Sequence, residues 1–187
     1  MKKIFKISAM TILCMLLLNG CGRELEDREF PSLLVIDRVP MEQALKDAQA
    51  QSSLYLDYGQ VQTIVLSEEI AMEEKQLRDV LLYLEEHPIF ARNMLFFVGD
   101  ADALETANQQ VDKAGDELED FYKNNPLYNK NESVTLGNML DYLHNGKTEI
   151  SIPQIGQQEG KLKIEGRIRI EKEAVQTAAS PKWRMAE

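Results

Sequence analysis

Three short runs rich in strand-forming residues recur through the middle of the chain, at positions 32–37, 61–66 and 94–98. Such short apolar runs are typical of buried strands, and the last is apolar on both faces, so we expect it to be central. Segments with apolar residues three and four positions apart, typical of amphipathic helices, separate them. This alternation predicts an α/β or α+β fold, a mixed β-sheet of about four or five strands with helices packed on it.

The helical segments carry recognisable start and stop signals. Met41 to Gln51 reads as one helix. Ser67 is a predicted N-cap, and the helix after it has a buried stripe and ends at His87-Pro88; the stripe consists of Leu77, Val80, Leu81 and Leu84. Asp100 or Asp102 is expected to cap a short helix that carries Ala103, Leu104 and Ala107. A polar stretch then leads to a predicted helix over 116–123, and Ser133 to His144 forms another, with Thr135 as its cap.

The last part of the chain predicts two more extended segments. Ile150 to Pro153 is short and contains proline, so we expect it to lie at an edge of the sheet or to leave it. Apolar and charged residues alternate strictly from Lys161 to Ile170, which predicts a strand with one solvent-exposed face, interrupted by Gly166. Its apolar positions, expected on one face, are Leu162, Ile164, Ile168 and Ile170. Residues 171–187 show no core-forming pattern, and we predict a poorly ordered tail over 173–187.

The first 20 residues have the pattern of a bacterial lipoprotein signal peptide. Lys2, Lys3 and Lys6 precede an apolar run that is shorter than the roughly 20 residues of a membrane span. The run ends in Leu18-Asn19-Gly20-Cys21, which reads as a lipobox: a small residue precedes the cut, and the Cys21 thiol accepts the acyl chain. An ordinary secretory leader or a retained short anchor are the alternatives. We therefore predict a leader over 1–20, acylation at Cys21, a charged tether over 21–30 and one α/β domain over 31–172.

Charge and cysteine content limit the possible partners. The formal net charge of the chain is −10, and removal of its three leader lysines would leave −13. A chain this acidic repels nucleic-acid phosphates and anionic bilayers, so we expect no nucleic-acid partner and a membrane contact made by the lipid. Cys14 lies in the leader and Cys21 is used by the lipid. The mature fold is therefore predicted to hold no disulfide and no thiolate metal site.

The sequence contains few candidates for chemistry. Asp100 and Asp102 follow the third strand, where α/β enzymes often keep acidic metal ligands, but helix capping explains them more simply. His87 and His144 each fall at a helix C-terminus, where the dipole favours a cation. No nucleophile elbow, Walker loop or dinucleotide-binding glycine motif is present. We predict no enzyme and no catalytic, cofactor-binding or metal-binding residue, and Cys21 is the one predicted site residue.

Four stretches of the chain resemble the N-terminal region of the spore germination C-subunit lipoproteins, the Ger(x)C family. They are the lipobox with its charged continuation over 21–27, the glycine-led strand and Glu-Glu helix start over 59–71, the segment over 87–98 with Arg92-Asn93 before the strand, and the region over 138–153 with the strand over 161–170. The chain departs from the family at Gln60, where a histidine is usual. It also ends soon after Ile170, which leaves a single-domain form and a truncated copy both open.

The resemblance implies a non-enzymatic subunit of a nutrient germinant receptor, acting in spore germination by protein–protein contact. Its lipid on Cys21, a palmitate-type acyl group, would hold it to the outer face of the spore's inner membrane, beside integral-membrane receptor subunits. Two alternatives remain. One is a generic extracytoplasmic ligand-binding or envelope-assembly lipoprotein. The other is a metal-dependent hydrolase built on Asp100 and Asp102.

Overall fold

A computed structural model describes residues 27–124 and 133–172 of the chain. The predicted signal peptide, the acylation site Cys21, the start of the tether and the tail over 173–187 lie outside the described residues, so those predictions stay predictions. The elements in chain order are β1 (Arg28–Glu29), β2 (Leu33–Ile36), α1 (Met41–Gln51), β3 (Tyr55–Leu56), a 3-10 turn (Tyr58–Gln60), β4 (Thr63–Ser67), α2 (Glu68–Met72), α3 (Glu74–Glu86), β5 (Leu95–Gly99), α4 (Ala101–Gln109), α5 (Val111–Asn124), α6 (Leu136–His144), β6 (Glu149–Gln158) and β7 (Lys161–Glu171).

Five strands form one mixed sheet in the order β2-β4-β5-β6-β7. The pairs from β2 to β6 are parallel, and β7 runs antiparallel to β6. The predicted α/β class with a mixed sheet is confirmed, and β5 is the central strand as its sequence indicated. A small two-stranded parallel ribbon, β1 with β3, lies outside this sheet.

Helices cover both faces of the sheet, which explains why β4 and β5 read as nearly continuous apolar runs. Ile64 and Phe96 point into the layer formed with α2, α3 and α6, whereas Val65 and Phe97 point into the layer formed with α4 and α5. All four side chains are fully buried. Parallel strands carry helices on both sides because each crossover connection must return over one face.

The N-caps that the sequence predicted are present. The Ser67 hydroxyl accepts a hydrogen bond from the Ile70 amide, and the Thr135 hydroxyl accepts one from the amide of Asn138, each at 3.3 Å. The Asn138 side chain accepts the Thr135 amide in return, which completes a capping box. The segment after Ser67 is two helices and not one, because the chain breaks at Glu73, whose carboxylate caps α3 through the Gln76 amide at 2.7 Å.

Helix α5 is longer than the predicted segment 116–123, because the polar stretch before it is also helical. Its first turns pack against the starts of β2 and β4. The Ser32 hydroxyl donates to the Val111 carbonyl at 3.1 Å, and the buried Thr63 hydroxyl donates to the Gly115 carbonyl at 3.3 Å. A Cβ atom at Gly115 would lie 2.8 Å from the Ser32 carbonyl oxygen. Glycine is therefore needed for this close helix–strand approach.

The predicted length of the extended segment at Ile150 to Pro153 is wrong, although these four residues pair with β7 alone, as an edge segment would. Strand β6 has ten residues and lies between β5 and β7. Its pairing with β5 begins only at Gln154, opposite Val98. Pro153 therefore precedes the parallel ladder, and its missing N–H removes no bond from that ladder.

The prediction that the four apolar residues of β7 share one face is also wrong. The register with β6 shifts between Gln154 and Ile155, which leaves one extra residue, Glu165, in β7. This β-bulge reverses the alternation. Leu162 and Ile164 pack with the α4–α5 layer, whereas Ile168 and Ile170 pack with the opposite layer.

The ribbon of β1 and β3 includes residues that the sequence placed in the tether. Arg28 pairs with Tyr55, and Glu29 pairs with Leu56. The Arg28 guanidinium forms an ion pair with the Asp57 carboxylate at 3.1 Å. The chain is thus folded from Arg28 onward in the described part. Among the described residues, no helix is both long and apolar enough to span a bilayer.

Candidate functional surfaces at the two ends of the sheet

Asp100 and Asp102 hold different positions at the start of α4. An Asp100 carboxylate oxygen accepts a hydrogen bond from the Ala103 amide at 2.8 Å, so Asp100 is the N-cap of α4. Asp102 lies exposed in the first turn, where the helix dipole favours a negative charge. Across residues 27–124 and 133–172, no three His, Cys, Asp or Glu residues are grouped as metal ligands would be. The capping interpretation of Asp100 is confirmed.

The two histidines make separate contacts at the ends of their helices. The His87 Nδ1 atom lies 2.7 Å from the Tyr83 carbonyl oxygen, and its ring stacks on the Tyr83 ring at 4.0 Å. The His144 Nε2 atom lies 2.8 Å from a Glu85 carboxylate oxygen. The other oxygen of Glu85 is 3.7 Å from the Arg92 guanidinium. These contacts join the ends of α3 and α6 and the loop before β5.

The carboxyl ends of β2, β4 and β5 border an acidic cleft of about 640 Å³. Parallel topology brings these strand ends to one edge of the sheet. The Gln154 side chain donates a hydrogen bond to the Glu68 carboxylate at this edge. The acidic residues that line it are Asp37, Glu68, Glu69, Asp100 and Glu105. This end of the molecule therefore presents a concentrated negative charge.

The amino ends of β4 and β5 border a second cleft, of about 570 Å³. Val61 and Met94 are its buried apolar residues, and the exposed carboxamides of Gln60, Gln62 and Asn93 stand around them. Residues 133–135 close one side, because Val134 and Leu136 form backbone hydrogen bonds with Phe96 and Met94 at 2.8 and 2.9 Å. The cleft combines a small apolar base with neutral polar groups and the carboxylate of Glu119.

This cleft joins two of the stretches on which the family resemblance rests, 59–71 and 87–98. The sequence did not predict that they meet. They are separated along the chain by α3, and only the parallel pairing of β4 with β5 brings the starts of their strands together. The pairing of two strand starts at one edge is a general consequence of parallel topology, so the two predicted strands were the available signal.

Comparisons with known proteins complete the description. No curated protein matches the chain, and no solved structure matches it. The family model described as the spore germination protein N-terminal domain matches residues 40–157. This match covers α1 to most of β6 and leaves the lipobox region and β7 outside. With more than half of its length matched, the chain belongs to the spore germination protein N-terminal domain family, and its role is in spore germination.

Proposed function

We propose that the protein is a lipid-anchored subunit of a nutrient germinant receptor that acts by protein–protein contact and not by catalysis. The observation that carries this proposal is the family match over residues 40–157. The lipobox upstream of it, at positions 18–21, supplies the attachment to the membrane. Among the described residues, Asp100, His87 and His144 have contacts of the kind that stabilise helix ends, which is compatible with a binding role.

The anchor has a simple physical basis. Each buried methylene contributes about 0.8 kcal/mol to membrane binding, so one acyl chain binds reversibly and two or three chains hold a protein stably. The leader would direct export, and cleavage before Cys21 would expose the residue that receives the lipid. The domain would then lie at the outer face of the spore's inner membrane, beside integral-membrane receptor subunits.

The anchor is tested with the two cysteines of the chain. Cells expressing the wild type, Cys21→Ala or Cys14→Ala are fed an alkyne analogue of palmitate, and both label incorporation and membrane fractionation are measured. We expect Cys21→Ala to lose the label and to leave the washed membrane fraction. Cys14→Ala, which changes the leader alone, is expected to keep both. Label retained in Cys21→Ala would contradict acylation at this residue.

The receptor contact is tested in spores. The tagged wild-type protein is isolated from spore membranes after cross-linking, and its partners are identified by mass spectrometry. We expect multi-span membrane subunits to be recovered with the wild type and to be lost with Cys21→Ala. Spores that lack the protein are expected to germinate poorly with at least one nutrient. Normal germination with every nutrient, together with a small molecule that raises the melting temperature, would favour the ligand-binding alternative.

A further inference from the structure

Three large apolar side chains are exposed around the β1–β3 ribbon. Phe30 is 38 % exposed, Leu54 is 37 % exposed and Tyr55 is 42 % exposed. Single exposed apolar residues are common on protein surfaces. These three differ because strand pairing gathers residues from positions 30 and 54–55 at one place. Two of them are aromatic, and aromatic residues are enriched where proteins meet the headgroup level of a bilayer.

The pairing of the ribbon sets which side chains share a face. Arg28 is opposite Tyr55, and paired residues of neighbouring strands point to the same side. Phe30 follows Arg28 by two positions, and Asp57 follows Tyr55 by two, so both belong to that side as well. The 3.1 Å ion pair between Arg28 and Asp57 agrees with this assignment and neutralises the two charges beside the apolar residues. Leu54 precedes Tyr55 by one position, so the same alternation places it on the opposite side of the ribbon.

The distance along the chain keeps this patch close to the predicted lipid. Arg28 follows Cys21 by seven positions in the chain. An extended chain spans at most about 3.3–3.6 Å per residue, so β1 can lie no farther than about 25 Å from the acylated residue. The ribbon is therefore the part of the described domain that an anchor at Cys21 would hold nearest to the bilayer.

The distribution of charge favours the same orientation. The acidic cleft lies at the carboxyl end of the sheet, whereas the ribbon leads into the amino ends of β2 and β4. Bacterial membranes contain anionic lipids, and repulsion acts over about 8–10 Å at physiological salt. Turning the acidic end away from the membrane turns the ribbon toward it.

We propose that Phe30 and Tyr55 form a bilayer-contact patch that inserts into the interfacial region of the membrane and orients the domain on its lipid anchor. The proposal rests on the proposed acylation at Cys21. The occupant of the patch is the lipid surface itself. The contact is apolar, so the net negative charge of the chain does not prevent it.

The test uses the acylated full chain, purified from membranes and reconstituted alone into vesicles of phosphatidylethanolamine and phosphatidylglycerol. Leader cleavage and acylation leave no free thiol, so a new cysteine can be labelled specifically with an environment-sensitive fluorophore. Tyr55→Cys and Phe30→Cys report on the patch. Met72→Cys is the matched control, because Met72 is 62 % exposed and ends α2 beyond the carboxyl end of β4. Circular dichroism checks that each variant is folded.

We expect vesicles with brominated acyl chains to quench the probes at positions 55 and 30 about twofold, since interfacial residues lie roughly 5–10 Å into the boundary between headgroups and acyl chains. The probe at position 72 is expected to stay unquenched, and high salt is expected to leave the pattern unchanged. Equal quenching at positions 55, 30 and 72, or none at 55 and 30, would overturn the patch, while the mass of the acyl group on Cys21, measured by mass spectrometry, would still support the anchor. Absence of that mass would overturn the anchor and the patch together.

Discussion

Replacement of Gly115 by alanine tests the closest helix–strand contact in the fold. An ideal Cβ at this position lies 2.4 Å from the Ser32 hydroxyl oxygen and 2.8 Å from both the Ser32 carbonyl carbon and its oxygen. The hydroxyl can rotate away, but the carbonyl cannot, because it accepts hydrogen bonds from the amides of Gln62 and Thr63 at 2.9 and 3.2 Å. Helix α5 must therefore move outward.

The expected magnitude follows from three contributions. Overpacking of this kind costs about 1–3 kcal/mol. An outward shift also weakens the hydrogen bonds from Ser32 to Val111 and from Thr63 to Gly115, and leaving the buried Thr63 hydroxyl unpaired costs about 1–3 kcal/mol. The higher helix propensity of alanine offsets about 1 kcal/mol of this loss of stability. We expect Gly115→Ala to lower the free energy of unfolding by about 2–4 kcal/mol, combining these contributions.

Thermal and urea unfolding, followed by circular dichroism, measure this change. At about 2–4 °C per kcal/mol for a chain of this size, the melting temperature should fall by roughly 5–15 °C. Gly166→Ala is the matched control, because a Cβ at Gly166 meets no atom within 4 Å; its stability should change by less than about 0.5 kcal/mol. Adding Ser32→Ala to Gly115→Ala should recover little of the lost stability, since the contact with the carbonyl group of residue 32 remains. A Gly115→Ala protein as stable as the wild type would refute the close-approach argument.

Three further predictions concern the caps, the bulge and alkaline pH. Thr135→Ala should cost about 1 kcal/mol of unfolding free energy, and Thr135→Ser should recover most of it in the same melts. Deletion of Glu165 should leave the melting temperature within a few degrees, because it removes only the extra residue of the bulge. Deletion of Lys163 should lower the free energy of unfolding by about 1.5–3 kcal/mol, because Leu162 and Ile164 would become adjacent and one of them would leave the buried face. Equal effects of the two deletions would contradict the bulge assignment. Burial raises the pKa of the Tyr58 phenol in the folded chain. The stability that the neutral phenol contributes is therefore present below the ordinary phenol pKa near 10 and is lost as pH rises above it. Tyr58→Phe should reduce the fall of the unfolding free energy with alkaline pH, measured in urea titrations.

The strands that were predicted correctly are those whose burial can be recognised from their own residues. Thr63 to Ser67 and Leu95 to Gly99 are buried between two helical layers, so nearly every residue is apolar or small and the run stands out. The caps at Ser67, Asp100 and Thr135 were predictable for a similar reason, because a short polar side chain before a helical stripe has one local role.

The elements that were missed depend on distant contacts. Strand β6 contains Pro153 and polar residues over 156–158, so local propensity does not favour a ten-residue strand there. Its length comes from the antiparallel pairing with β7. The face reversal in β7 depends on Glu165, because one extra residue in a paired strand cannot be read from the alternation of that strand alone. Helix α5 did carry a signal, since Val111, Ala114 and Leu118 are spaced for one face, but Gly115 obscured it.

The two edge strands of the sheet are protected against pairing with another chain. Strand β7 is long enough to pair with another chain, but it carries the exposed basic residues Lys163, Arg167 and Arg169, and its bulge bends it. Strand β2, the other edge, has four residues. Both devices disfavour strand addition, so a partner that recognises this domain is expected to use the clefts or helices. Of the two clefts, the one at the amino end lies on the same side as the β1–β3 ribbon, and a membrane-embedded partner would meet it first if the chain is anchored at Cys21.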